Sequence, residues 1–227
     1  MSTQITLRAL ARLLTYPDDA LMAQLPDIAE ALNSASALSP GRLRDLNELV
    51  RELLADDWLA VEARYVDTFD RGRRTSLHLF EHVHGDSRER GPAMIDLKAT
   101  YAAAGLQLGD GELPDFLPVV LEYASTQPAE VAAEFLGEMA HILNALHSAL
   151  SERANPYAVV VAAVLELAGE PIQPVQVAED APVDEAWAEP EVFGGCSSQG
   201  QQAPNQPQPI HIVRSTAAAP ASAGVAR

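Results

Sequence analysis

The chain has 227 residues, a formal net charge of −17 and an aromatic content of only 5%. A surface this acidic repels phosphate backbones, which excludes general nucleic-acid binding and favours partners that carry basic segments. One cysteine, Cys196, excludes an intrachain disulfide and any cysteine-based zinc knuckle.

Helical signals begin at the N-terminus. Residues 4–16 place Leu7, Leu10 and Leu14 at helical spacing and stop at Pro17. Arg8 and Arg12 interrupt the apolar run, so the segment does not read as a secretory signal. No stretch approaches the roughly 20 apolar residues of a membrane span, so a cytoplasmic protein without stable membrane insertion is expected. Residues 20–33 form a second helix, ended by the break "NSASALSPG". "GRLRDLNELVRELLADD" then sets Leu43, Leu46, Leu49, Val50, Leu53 and Leu54 on one stripe, and Trp58, Val61, Tyr65, Val66 and Phe69 continue on the next helix.

Further along, residues 93–104 are helical, with Gly105 as the C-terminal cap. The loop "LQLGDGELPD" follows, and Pro114 and Asp115 start another helix with Pro118 in its first turn. Residues 129–153 read as one long helix carrying Val131, Phe135, Met139, Ile142, Leu146 and Leu150 on a single face. Asn155 caps the last helix, Pro156 takes its first position, and "YAVVVAAVLELAG" is apolar nearly all round and therefore central. The expected fold is all-α, a single bundle of about eight or nine helices over residues 1–169. Residues 170–227 are rich in Pro, Gln and acid, and Trp187, Val192, Phe193 and "PIHIV" are their apolar islands. Such a stretch buries too little apolar surface to offset its ordering entropy and reads as a flexible, disordered tail.

The densest cluster of chemistry lies in residues 74–92, "RTSLHLFEHVHGDSRERGP". His78, Glu81 and His82 spell an inverted zinc-protease motif: two imidazoles one helical turn apart to grip Zn²⁺, with Glu81 as general base. A catalytic zinc needs a third ligand, and nothing in the spacing selects among Glu112, Asp115 and Glu122. Arg71, Arg73, Arg74, Arg88 and Arg90 bracket the motif, and that excess of guanidinium disfavours a cation site. The competing reading pairs these arginines with nearby acids and satisfies the histidines inside the bundle.

"RYVDTFDRGRRTSLHLFEHVHGDSRERGPAMIDL", followed by "YAAAGLQLGDGELPDFLPVVLEYAS", resembles the assembly chaperones of bacterial respiratory nitrate reductase. These delta-subunit-type proteins are all-helical maturation chaperones for molybdenum enzymes. The likeness is close over residues 64–125 and looser in the flanking helices and in "EAWAEPEVFGG". It implies a chaperone rather than an enzyme, with no cofactor of its own. Its partner would be the catalytic molybdenum subunit, bound through that subunit's N-terminal segment until the molybdenum–guanine-dinucleotide cofactor is inserted and membrane docking can follow. Cofactor-biosynthesis proteins are a further implied partner class. The alternatives are a zinc metallohydrolase built on His78, Glu81 and His82, and a sibling chaperone serving another molybdoenzyme.

Carried onto matching positions, the resemblance implies an apolar client groove with an acidic surround. Tyr65, Phe69, Leu77, Phe80, Met94, Leu97 and Tyr101 are candidates for its wall or floor, faced by Leu113, Leu117 and Leu121, although some of these must be plain core. Asp70, Glu81, Asp86, Glu112, Asp115 and Glu122 would meet basic client residues, while Pro114 and Pro118 stiffen the approach to the following helix. Arg73, Arg74, Arg88 and Arg90 would brace the acids or touch the anionic cofactor. His78, His82 and His84 would titrate near neutral pH and tune release.

Overall fold

The computed structural model describes residues 2–35, 37–84, 87–109 and 111–176. Asp86 and the apolar islands at Trp187, Val192, Phe193 and residues 209–213 lie outside them. Ten α-helices and one 3-10 turn make up the described chain: α1 Ser2–Leu13, α2 Asp19–Ala35, α3 Pro40–Ala55, α4 Trp58–Phe69, the turn Arg73–Thr75, α5 Leu79–Val83, α6 Arg90–Ala103, α7 Leu117–Thr126, α8 Ala129–Glu138, α9 Ala140–Glu152 and α10 Ala158–Leu167. No strand occurs among the described residues, apart from an isolated antiparallel bridge between His78 and Phe116. The all-helical architecture read from the sequence is the one observed.

Local chemistry accounts for several helix ends. Asp18 accepts the Leu21 N–H (2.7 Å) at the start of α2, one residue after Pro17 blocks α1 from continuing. Ser39 caps α3, with Pro40 in its first turn, and Asp57 caps α4 by accepting the Ala60 N–H (3.3 Å). Asn155 accepts the Tyr157 N–H (3.0 Å) ahead of α10 and donates to Thr68 Oγ1 (2.7 Å), so one amide both starts the last helix and ties it to α4.

The core forms around α10, where Val160, Val161, Ala162, Ala163, Val164 and Leu165 are all buried. It packs on α9, α3, α1 and α8, and α1 in turn packs on α7 and α2. A helix apolar on every side has no stable place except the middle, as its sequence indicates. Within this core Tyr157 meets Tyr65 and Phe69 edge-on, Tyr65 and Phe69 lie tilted against each other, and the Tyr65 hydroxyl donates to Leu14 O (2.8 Å).

Two departures from the sequence reading matter. Residues 129–153 are two helices broken at Met139, whose backbone (φ −96°, ψ 3°) leaves the helical region just after Gly137. The expected single face does not exist, because Val131 is exposed while Ala132 and Leu136 turn inward. The break lets α8 pack on α7 and α10 while α9 packs on α10, α5 and the 3-10 turn. The helix expected from Pro114 begins instead at Leu117, because Asp115 is engaged elsewhere.

Order continues past Gly169. Asn144 Nδ2 donates to Pro171 O (3.4 Å), the Gln173 N–H donates to Asn144 Oδ1 (2.7 Å), and the Val175 N–H donates to Ser148 Oγ (3.0 Å). Positions 144 and 148 lie one helical turn apart, close to the ~6.6 Å that two residues of extended chain advance, so residues 171–175 form a strap in register with α9. A chain truncated after Gly169 is expected to be less stable than one truncated after Gln176 by about 1–3 kcal/mol. Parallel urea denaturation of the two truncations, followed by circular dichroism, measures the difference.

Candidate functional site

Two connected features stand out, a buried carboxylate and an open groove. The backbone of residues 77–79 runs against residues 115–117: the Leu79 N–H donates to Asp115 O (3.0 Å) and the Leu117 N–H to Leu77 O (2.8 Å). Asp115 is completely buried, and its Oδ2 accepts the Phe80 N–H (3.1 Å) in the first turn of α5. Arg90, the first residue of α6, reaches 3.7 Å from that same oxygen and 3.4 Å from Glu81 Oε1. His78 Nδ1 lies 3.5 Å from Asp115 Oδ1, with its ring against Phe116. One carboxylate thus joins α5, the start of α6 and the approach to α7.

This geometry overturns the zinc reading. His78 sits in extended backbone ahead of α5 (φ −85°, ψ 101°), so it shares no helix face with His82. His82 Nε2–H donates to Ser76 O (2.8 Å) and Glu81 is held by Arg90, so ring and carboxylate are both engaged within the bundle. Among the described residues no group of three His, Cys, Asp or Glu side chains is arranged to hold a metal ion.

The groove, of about 410 Å³, opens between α1, α7 and the segment that follows α6. Its floor is Tyr101, Leu106, Leu108, Val119 and Tyr123, and its rim carries Glu112 and Glu122 opposite Arg8 and Arg12 of α1. Gly105, in the left-handed region (φ +81°), ends α6 as expected and lets the Leu106 N–H return to Tyr101 O (3.0 Å), which turns Leu106 towards the groove. Tyr101 donates its hydroxyl to Pro114 O (2.8 Å), and burial holds that phenol far above its ordinary range. Its ring lies 4.7 Å from Tyr123, which meets Phe135 edge-on at 4.8 Å. Glu112 accepts the Gly109 N–H (2.8 Å), and a Cβ at Gly109 would lie 3.0 Å from that carboxylate.

Of the residues named from the sequence, Tyr101, Glu112 and Glu122 line the groove. Leu97 is buried beside Tyr101 with Phe80 packed against them, Met94 is half-buried, and Leu113 is exposed. Pro114 is buried and supplies the carbonyl for Tyr101. Tyr65, Phe69, Leu77, Leu117 and Leu121 belong to the main core and Pro118 is buried at the start of α7, so in this conformation their side chains hold the bundle together. Asp70, Arg73 and Arg88 are exposed, Arg74 pairs with Glu152, and His84 stands edge-on to Phe80 (5.7 Å). The sequence reading missed Arg8, Arg12, Leu106, Leu108, Val119 and Tyr123. The available signal was two leucines in a glycine-rich loop, where loops are otherwise polar.

Residues 18–163 match the family described as nitrate reductase delta subunit. The chain belongs to that family. It is 42% identical over 198 residues to the nitrate reductase molybdenum cofactor assembly chaperone NarJ of Escherichia coli K12, covering 83% of this chain and 84% of the relative. It is also 42% identical to the probable chaperone NarW of the same organism, over 72% of this chain and 68% of the relative. Identity to the probable NarJ chaperone of Bacillus subtilis is 32%, over 68% and 83% of the two chains. These delta-subunit relatives are named as assembly chaperones, not as catalysts. A putative redox enzyme maturation protein from Archaeoglobus fulgidus shares the fold (TM-score 0.54, 20% identity, 75% of this chain and 94% of that one).

The site yields two expectations. Asp115→Ala removes the acceptor for Phe80 and the counter-charge for Arg90, and is expected to cost about 2–4 kcal/mol in urea denaturation. Asp115→Asn retains an acceptor and is expected to cost less. The second concerns Glu122. Burial first, and then the Glu112 carboxylate, raise the Glu122 carboxyl above its ordinary value of 4.5, against the opposing pull of Arg8 and Arg12. A raised carboxyl binds its proton more tightly in the folded chain, so that stabilisation is complete below pH 4.5 and is lost as pH rises through the folded value. Glu122→Gln is therefore expected to unfold at a higher urea midpoint than the parent at about pH 7, with the two converging as the pH approaches ~4.

Proposed function

We propose that the chain is an assembly chaperone for a nitrate reductase. It grips the N-terminal segment of the catalytic molybdenum subunit in the cytoplasm and delays membrane docking until the cofactor has been inserted. The observation that carries this reading is the 42% identity, over 83% of the chain, to a relative named as a nitrate reductase molybdenum cofactor assembly chaperone. The groove supplies a physical means. An apolar floor receives the apolar face of a client helix, and carboxylates on the rim receive its basic residues. Burial and the Glu112 carboxylate beside it on the rim push the Glu122 carboxyl above its ordinary value, against the pull of Arg8 and Arg12. A client cation placed beside it relieves that imbalance, so binding rewards basic segments in particular.

The formal charge of −17 adds a longer-range effect. It raises the encounter rate with a basic segment and makes affinity fall as salt screens the attraction. Nothing in this task requires bond-making, and the relatives' names describe assembly alone.

Calorimetry of the full chain with a synthetic peptide of about 30 residues from the N-terminus of the cognate catalytic subunit tests the reading. Saturable binding that weakens from low to high salt is expected, and the double variant Glu112→Gln/Glu122→Gln is expected to bind about tenfold more weakly. Absence of heat at low ionic strength removes the proposal. Deleting the gene and assaying each molybdoenzyme of the host identifies the client, because a sibling chaperone would leave nitrate reductase active.

A further inference from the structure

The open groove is only part of a larger apolar surface, and α6 covers the rest. Of the fourteen residues of α6, Leu97 and Tyr101 are the buried ones, and Ile95 is 69% exposed. Both buried side chains pack outside the main core, in a separate cluster with Tyr123, against Phe80, Val119, Phe135 and Met139. At its N-terminus the helix is anchored by charge, with Arg90 3.4 Å from Glu81 and 3.7 Å from Asp115. Towards its C-terminal end the anchor among the described residues is the hydrogen bond from the Tyr101 hydroxyl to Pro114 O. Positions 90, 97 and 101 fall on one helical face, at i, i+7 and i+11.

A cation followed by two apolar side chains on the same face is the chemistry that an acidic, apolar groove selects in a client helix. The seat of α6 is also continuous with the open groove, since Tyr101 and Tyr123 belong to both. We propose that α6 is an internal occupant of the client's seat, and that a client helix bearing a basic residue about two turns ahead of an apolar pair displaces it. The inference rests on the client-binding reading above and adds how the site is kept and what it selects.

Displacement has a definite consequence at each anchor. Once Arg90 leaves, Glu81 and Asp115 become receivers for the client's cation. When Leu97 and Tyr101 leave, Phe80, Tyr123, Phe135 and Met139 are uncovered for its apolar face. In the resting chain α6 keeps this surface from water and from other chains. Client affinity is then reduced by the small fraction of molecules in which α6 is open, and weakening the anchors of α6 raises it.

Hydrogen–deuterium exchange on the full chain, with and without the synthetic client peptide, tests the proposal. Peptide binding is expected to strip protection from the amides of residues 94–103 while adding protection along α7. Binding that leaves residues 94–103 equally or more protected overturns it and leaves the client-binding reading intact. Arg90→Gln and Tyr101→Phe each loosen one anchor. In calorimetry with the same peptide, each is expected to bind about three- to tenfold more tightly than the parent, provided circular dichroism shows a folded chain. Unchanged or weaker binding by folded variants counts against displacement. No binding by any of the chains removes the client-binding reading itself, and this inference with it.

Discussion

A fully buried carboxylate is a demanding constraint, and the region beside the groove is organised around one. Asp115 accepts a backbone N–H from α5, stands beside Arg90 of α6 and His78, and contributes its own carbonyl to the backbone pairing that fixes the approach to α7. A carboxyl group is rarely tolerated out of water without polar or charged neighbours to compensate it. The compensation here comes from elements distant in sequence, so the positions of α5, α6 and α7 are coupled through a single side chain. The groove lies at the edge of this arrangement and inherits its geometry from it.

The molecule separates two jobs. The large cluster around α10 gives cohesion, and almost everything in it is aliphatic and inaccessible. The smaller cluster of Leu97, Tyr101 and Tyr123 is aromatic, lies partly under a thinly attached helix, and touches the larger one through Phe135 and Met139. Stability need not be uniform across a fold, and a small cluster under a lightly held helix lies at its weaker end. The break at Met139 serves this division, because it leaves Phe135 and Met139 positioned between the two clusters.

The helical elements and the central place of α10 were legible in the sequence because periodicity and capping are local properties. Pro17, Ser39, Asn155 and Gly105 act within a few residues of where they stand. Long-range assignments were less legible. Asp115 resembles the start of a helix when read with its neighbours, yet it serves α5, whose residues lie far upstream. His78 and His82 look like a helical pair until the backbone pairing with Phe116 pulls the first of them into extended conformation. Leu77, Leu117 and Leu121 share their residue type with groove-forming leucines, and only the tertiary packing shows that they face the core. The contribution of α1 to the groove was hidden for the same reason, since nothing near Arg8 or Arg12 in the chain points to α7.

The strap along α9 shows a different economy of specification. Asn144 and Ser148 grip amide and carbonyl groups that every non-proline residue possesses, and they touch none of the side chains at positions 171–175 through those bonds. The route of this stretch is therefore dictated by its rail and not by its own lettering. Substitutions there are free to drift so long as none is a proline at 173 or 175, whereas the two rail positions on the helix are not.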